Sequence, residues 1–300
     1  MQTHVRTIIV GAGIVGVSVA WELAKLGRTD ILVIDRAPLY ETGGSTSHAP
    51  GGVFQNNASR TVSKLAQWTT AAFAEVSPID QPTWFPSGSL EIATTPERWH
   101  DLKRKLGYAT SWGLDAMLLD PAETGALVPQ LDTTQIHGSI HVAGDGIVRS
   151  VPTVEQIAKR AEALGVTFRG ETTLLSVDMP NRVVRGIHTS AGDFTCEELV
   201  LCGGIWGPLL GKLTDTPIPL HPCAHPYIRT TPLAELAHLR DRQVVQPLWR
   251  HQDHSMYLWQ DGDRMGVGNY RHEPVMVAAA AIDNTRRHPA ELDFDPTPMD

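Results

Sequence analysis

The sequence is poor in cysteine, in positive charge and in long apolar runs, and each shortage removes a class of function. Only Cys196, Cys202 and Cys223 occur in 300 residues. Three thiols cannot all pair and none has CxxC spacing, so a disulfide scaffold or zinc-ribbon site is not expected, and the thiols read as reduced and cytoplasmic. A formal net charge of −8 argues against nucleic acid or an anionic membrane surface as the main partner. No apolar run is long enough to span a bilayer, so no membrane association is expected. The opening "MQTHVRTIIV" runs straight into strand-like residues, without the pattern of a signal or transit peptide. No short repeat or low-complexity tract stands out.

What is present begins with a β-α-β unit. "TIIV" (Thr7–Val10) is a β-rich run. "VSVAWELAKLG" has helical spacing through Val17, Ala20, Trp21 and Ala24, with Gly27 placed to end the helix, and "ILVID" (Ile31–Asp35) is a second buried-type strand. Gly11, Gly13 and Gly16 form a GxGxxG between the first strand and the helix, and Asp35 closes the second strand. Gly11 allows the tight turn, Gly13 lets a pyrophosphate approach the backbone, and Gly16 allows close packing of helix on strand. The helix N-terminus meets the phosphate charge, and Asp35 can accept a ribose hydroxyl. Ile14 and Val15 within the motif and Arg36 beyond the acid belong to the same dinucleotide contact. The fingerprint alone leaves NAD and FAD both open.

The stretch "GGSTSHAPGGVFQNN", Gly43 to Asn57, has neither a strand nor a helix period. It follows the second strand at the carboxyl edge of the sheet, where the reactive end of a dinucleotide extends. Ser45, Thr46 and Ser47 bring hydroxyls and His48 a nucleophilic ring nitrogen. "SRTVSKLAQWTTAAFAEV" then sets Val62, Leu65, Thr69, Phe73 and Val76 on one helical face.

From Trp84 the texture changes. "GSLEIATT" alternates like an exposed-edge strand, "PERWHDLKRKLGYATSWG" is an amphipathic helix, and "IHGSIHVAGDG" another strand. "VPTVEQIAKRAEALG" is a helix capped by Ser150 and closed by Gly165. "NRVVRGIHTSAGDFTCEELVLCGG" is a hairpin with a Gly-Asp turn leading into an apolar strand. His221, His225 and the "HQDH" of residues 251–254 are histidine-rich, but no carboxylate or cysteine cluster has ligand spacing and no metal is expected. The final residues, "VMVAAAAIDNTRRHPAELDFDPTPMD", trail off in charge and proline with no closing strand or helix, as if the chain were cut.

"GGSTSHAPG", with "GAGIVG", "DLKRKLGYA", "VTFRGETT", "CGGIWG", "RHQD" and "GDRMGVGNY", resembles the dimethylglycine oxidase, dimethylglycine dehydrogenase and sarcosine dehydrogenase group of flavoproteins across essentially the whole chain. The resemblance implies that His48 is bonded to the 8α-methyl carbon of FAD. It implies that Leu174 holds the adenine through its backbone and that Cys202 and Gly203 pass near the cofactor. His225 would assist amine oxidation beside the flavin, and Tyr257 would flank both substrate and ring. Gly52 stands where the group usually has a larger aliphatic residue.

The implied activity is oxidation of an N-methylated glycine, dimethylglycine or sarcosine, to the demethylated amine and formaldehyde. Oxygen or an electron-transfer flavoprotein would be the acceptor, and tetrahydrofolate would enter only with a further C-terminal domain. The expected architecture is α/β. A Rossmann-like FAD-binding domain (residues 1–78 and 151–214) is interleaved with a mostly antiparallel substrate domain (79–150 and 215–300). Two alternatives stand beside this: a truncated, inactive chain lacking the segment that closes the FAD site, and an NAD-dependent dehydrogenase using the same fingerprint.

Overall fold

A computed structural model describes residues 4–41, 43–282 and 292–293. The chain forms two compact units: residues 1–49, 150–224 and 275–292, and residues 50–149, 225–274 and 293–300.

The first unit is built on a four-stranded parallel sheet in the order Glu198–Leu201, Thr7–Val10, Ile31–Ile34, Thr167–Arg169. Thr7–Val10 and Ile31–Ile34 are buried at every position, as the unbroken apolar runs require of strands covered on both faces. The helices Ile14–Lys25 and Ser150–Ala163 pack together. The first ends as its sequence indicates, at Gly27 with φ +84°, whose N–H donates to Ala24 O. A three-stranded antiparallel sheet (Leu174–Asp178, Gly186–Thr189, Gly192–Thr195) completes the unit's core through Leu174, Ile187 and Phe194. Its hairpin turns at Ser190–Ala191, and Gly192 and Asp193 already belong to the second strand, so the turn comes two residues before the expected Gly-Asp.

The second unit carries a seven-stranded sheet in the order Tyr227–Arg229, Arg264–Asn269, Met256–Asp261, Leu248–His251, Ser89–Ala93, Gly138–Val142, Ala116–Leu119. Every pairing is antiparallel except Leu248–Arg250 beside Ser89–Glu91. Ser89–Ala93 is therefore interior and buried at all five positions, not an exposed edge. Its polar alternation is absorbed by bonds: Ser89 Oγ donates to Asp145, and Glu91 pairs with Lys105 and Arg98. The amphipathic helix Pro96–Ser111 is capped by Thr95, whose hydroxyl accepts from Arg98 N.

Three local expectations differ from the structure. In the helix Arg60–Val76, Phe73 and Val76 are buried as expected, but Val62 and Leu65 are 46% and 51% exposed, and the buried face runs instead through Ser63 and Thr70. The polar stretch after the second strand is not wholly irregular: Ser45–His48 makes one helical turn and Gly52–Val53 a short strand paired with Gly146–Ile147. That pairing places residues 50–78 in the second unit. Near the C-terminus, Val275–Met276 forms a two-residue strand against Cys223–Ala224, so the trailing segment is not without strand structure. The remainder of the trailing segment, residues 283–291 and 294–300, lies outside the described residues. Among the described residues no helix is long and apolar enough to cross a membrane.

Candidate functional site

In the first unit the glycine fingerprint is held by contacts that forbid side chains. A Cβ on Gly16 would lie 1.8 Å from Gly11 O, and one on Gly11, where φ is +110°, would lie 2.4 Å from Cys202 O. These approaches seat the first helix turn against the strand ends, with Cys202 N donating to Val10 O. Gly13 is the helix N-cap and has no side-chain cap. Thr46 serves the helix end instead, its Oγ1 accepting from Ile14 N at 3.1 Å and standing 3.0 Å from where a Gly13 Cβ would be. Val15, one turn position on, is 61% exposed.

Asp35 receives Ala12 N (2.7 Å) on one carboxylate oxygen and Ala37 N (2.9 Å) on the other. Burial raises its pKa, and the two N–H bonds and Arg36 work against that rise. The Arg36 guanidinium lies 3.7 Å over the Trp206 ring. Arg36 Nη2 and Trp206 Nε1 are both buried donors without a protein acceptor. Two such donors side by side cost free energy unless a ligand supplies acceptors, and a dinucleotide does. A crowded glycine cradle and stranded donors fit FAD on the residues present. Leu174 is buried at the start of its strand. Gly203 has no room for a side chain because a Cβ would meet Leu210 Cδ1 at 2.3 Å.

The turn Ser45–His48 holds the His48 ring by its Nδ1, 2.9 Å from Gly44 O and 3.0 Å from Ser47 Oγ. A carbonyl only accepts, so Nδ1 is the nitrogen that carries a proton in this contact. Ser47 Oγ also donates to Gly44 O. The side chain of His48 is exposed.

In the second unit His225 and Tyr257 come together, His225 Nε2 lying 3.1 Å from Tyr257 Oη. Tyr270 stacks on His225 at 4.0 Å between ring centroids, and His272 lies 6.1 Å away. Burial first, and then the His272 ring, hold His225 below the usual histidine range. Burial, with the Tyr270 and Tyr227 hydroxyls, pushes the Tyr257 phenol well above its ordinary range. At neutral pH this is a neutral imidazole beside a neutral phenol, a pair able to take or relay one proton.

The floor beneath them is glycine. Tyr227, Gly268 and Tyr257 face one another across three adjacent strands, and a Cβ on Gly268 would lie 2.0 Å from Tyr257 Cζ. Gly266 makes the same room for Tyr227. Tyr270 and this glycine pair were not singled out from the sequence, although "GVGNY" carried the signal: glycines two apart in a strand mark a close approach on one face. Gly52 lies in the second unit, where a Cβ would meet Leu248 Cδ1 at 3.3 Å and Phe54 Cε2 at 3.4 Å. The space of the expected larger side chain is filled by these neighbours.

The family described as FAD dependent oxidoreductase matches residues 6–296. The chain belongs to that family. The choice between NAD and FAD, open from the fingerprint, is thereby resolved to FAD. Human mitochondrial sarcosine dehydrogenase is 26% identical over 285 residues, covering 92% of this chain and 30% of that protein. Rat mitochondrial dimethylglycine dehydrogenase is 27% identical, with 93% and 32% covered. The mouse mitochondrial pyruvate dehydrogenase phosphatase regulatory subunit is 29% identical over 236 residues, with 77% and 27% covered. The chain thus spans under a third of the length of these relatives. Among solved structures, L-proline dehydrogenase from P. horikoshii superposes with a TM-score of 0.82 at 21% identity, covering 92% of this chain and 71% of that one, a likeness of fold.

Proposed function

We propose that this FAD-dependent oxidoreductase oxidises the N-methyl group of a methylated glycine, dimethylglycine or sarcosine. FAD, when bound, supplies the acceptor for a hydride from the N-methyl carbon. The remaining work belongs to the chain. The amine must lose its proton before its lone pair can form the C=N bond of the iminium, and Tyr257 Oη relays that proton, taking it from the amine as its own passes to His225 Nε2. Water then adds to the iminium, releasing formaldehyde and the demethylated amine. Gly11, Gly13, Gly16, Asp35, Arg36, Leu174, Cys202 and Gly203 hold the dinucleotide, and His48 ties it covalently.

The observation that carries this reading is the 3.1 Å pair of His225 and Tyr257, with burial keeping the imidazole neutral. The names of the sarcosine and dimethylglycine dehydrogenases among its relatives support the substrate class. The test is steady-state turnover of both amines by FAD-loaded protein, followed by formaldehyde release. A yellow protein that oxidises neither would overturn it. That outcome would favour a second reading, a non-catalytic partner for another chain, which the likeness to a phosphatase regulatory subunit brings forward.

A further inference from the structure

The helix Arg60–Val76 turns polar residues inward and apolar ones to solvent. Its buried face holds Ser63 and Thr70 beside Phe73 and Val76, and the Ser63 hydroxyl is occupied locally, accepting from Asn57 N at 3.1 Å. Outward lie Val62, Leu65 and Trp68, the last 60% exposed, with the Lys64 ammonium 5.2 Å from its ring centroid. Among the described residues, no other helix exposes more than one large apolar side chain.

The outward residues also repeat. Thr61, Leu65, Trp68, Ala72 and Glu75 are spaced four, three, four and three apart, the alternation by which one helix seats against another. None of the five is buried. Bulk and charge are divided along this seam. The N-terminal half carries Leu65 and the exposed Arg60 and Lys64, whereas the C-terminal half carries Ala72 and the exposed Glu75. A second copy laid antiparallel about Trp68 sets Leu65 over the partner's Ala72 and brings Arg60 and Lys64 beside the partner's Glu75. A parallel copy would instead stack Arg60 on Arg60 and Lys64 on Lys64. Only the antiparallel arrangement matches large with small and positive with negative.

We propose that this helix is the contact of a homodimer, in which a second copy of the chain packs its own Arg60–Val76 helix antiparallel on this one about a two-fold axis at Trp68. A helix of 17 residues is about 26 Å long. Two such helices laid together bury on the order of 1,000 Å² in total, the lower end for a specific interface. The dimer is therefore reversible, with micromolar affinity, and the charged ends select its direction. The contact is independent of which amine the chain oxidises.

Sedimentation velocity of the chain, from low micromolar to several hundred micromolar, tests this. The wild type should pass from monomer toward dimer as concentration rises. Leu65→Glu and Trp68→Glu, both at exposed positions, should keep the far-UV circular dichroism and weaken association about 10-fold or more, because each puts a charge at the centre of the seam. Lys64→Glu alone and Glu75→Lys alone should each weaken it several-fold. The double variant Lys64→Glu with Glu75→Lys should return to within about twofold of wild type, a recovery that non-specific sticking of an apolar patch would not give. Should either seam variant fold poorly, the charge-reversal set decides by itself. A wild type that stays monomeric at the highest concentration overturns the proposal and leaves the face to a different partner. A dimer indifferent to Leu65→Glu and Trp68→Glu, or one that the double reversal fails to restore, overturns it as well.

Discussion

Gly268 lies directly beneath Tyr257: the two are cross-strand partners, and a methyl group on the glycine would fall 2.0 Å from the ring carbon that bears the hydroxyl. The phenol can lie flat toward His225 only because that position has no side chain. Gly268→Ala is therefore expected to swing the Tyr257 ring away, break the 3.1 Å bond to His225, and lower kcat for dimethylglycine about tenfold or more, with a loss of stability of roughly 1–3 kcal/mol from overpacking. Gly107→Ala, in a helix with open space around the new methyl, is the control and should be neutral or stabilising by about 1 kcal/mol. Turnover and thermal melting of the two variants check this, and an active Gly268→Ala enzyme would remove Tyr257 from the chemistry.

His225 should shape the pH profile. Burial and the His272 ring favour its neutral form, so the imidazole is competent at pH 7 and loses competence only as pH falls below the usual histidine value near 6.5. The expected kcat profile has an acid limb in that range. His225→Asn should abolish the limb and cost about 10²- to 10⁴-fold in kcat. Tyr257→Phe keeps the ring but not the hydroxyl and should cost less. The measurement is kcat against pH for the three proteins.

Asp145 is 1% exposed, and burial, outweighing the bonds from Ser89 and Gln55 and the field of Arg250, pushes its pKa up to about 6. Since its folded value lies above the unfolded one of 3.8, the folded state binds the extra proton. This residue's contribution to stability therefore falls as pH rises from about 4 to 6, by on the order of 3 kcal/mol, and stays low above that. Asp145→Asn can keep both hydrogen bonds, because the Ser89 hydroxyl can turn to accept. It should be more stable than wild type at pH 8 and no better at pH 4. Urea unfolding at both pH values tests the sign; a variant weaker at pH 8 would show that the ionised carboxylate is net stabilising.

The Gly44 carbonyl fixes Nδ1 as the nitrogen of His48 that carries a proton in their contact. If His48 ties the flavin, wild-type protein precipitated with acid should keep its yellow colour in the pellet, and His48→Ala should release it to the supernatant. Ser47→Ala removes one contact to Nδ1 but leaves Gly44 O, and is expected to slow attachment rather than prevent it. Visible absorbance of pellet and supernatant reads all three.

The nucleotide cradle was legible because its determinants are local. Gly11, Gly13 and Gly16 follow a four-residue apolar strand and open a helix, and the spacing to Asp35 is fixed by the helix length between them. The same locality misled elsewhere. Alternation in "GSLEIATT" pointed to an edge strand, yet Ser89 and Glu91 are interior, since their polar groups meet Asp145, Lys105 and Arg98 from distant segments. The regular spacing of Val62, Leu65, Phe73 and Val76 likewise specified a helix without specifying how much of it would be covered.

By itself the sequence determined the parallel β-α-β unit and the tight glycine contacts at its first turn, and by resemblance it raised the expectation that His48, His225 and Tyr257 take part in the chemistry. These follow from hydrophobic period, turn chemistry and short-range sterics, all written within about thirty residues. Tertiary structure alone decided that Tyr227, Gly268, Tyr257, Arg250 and Glu91 share one row, because that row is set by strand register between segments up to 177 residues apart. It also decided that Arg98, Arg149, Arg229 and Arg240 each hold an aspartate, since ion pairing depends on every charge that folding brings near and not on the neighbours along the chain.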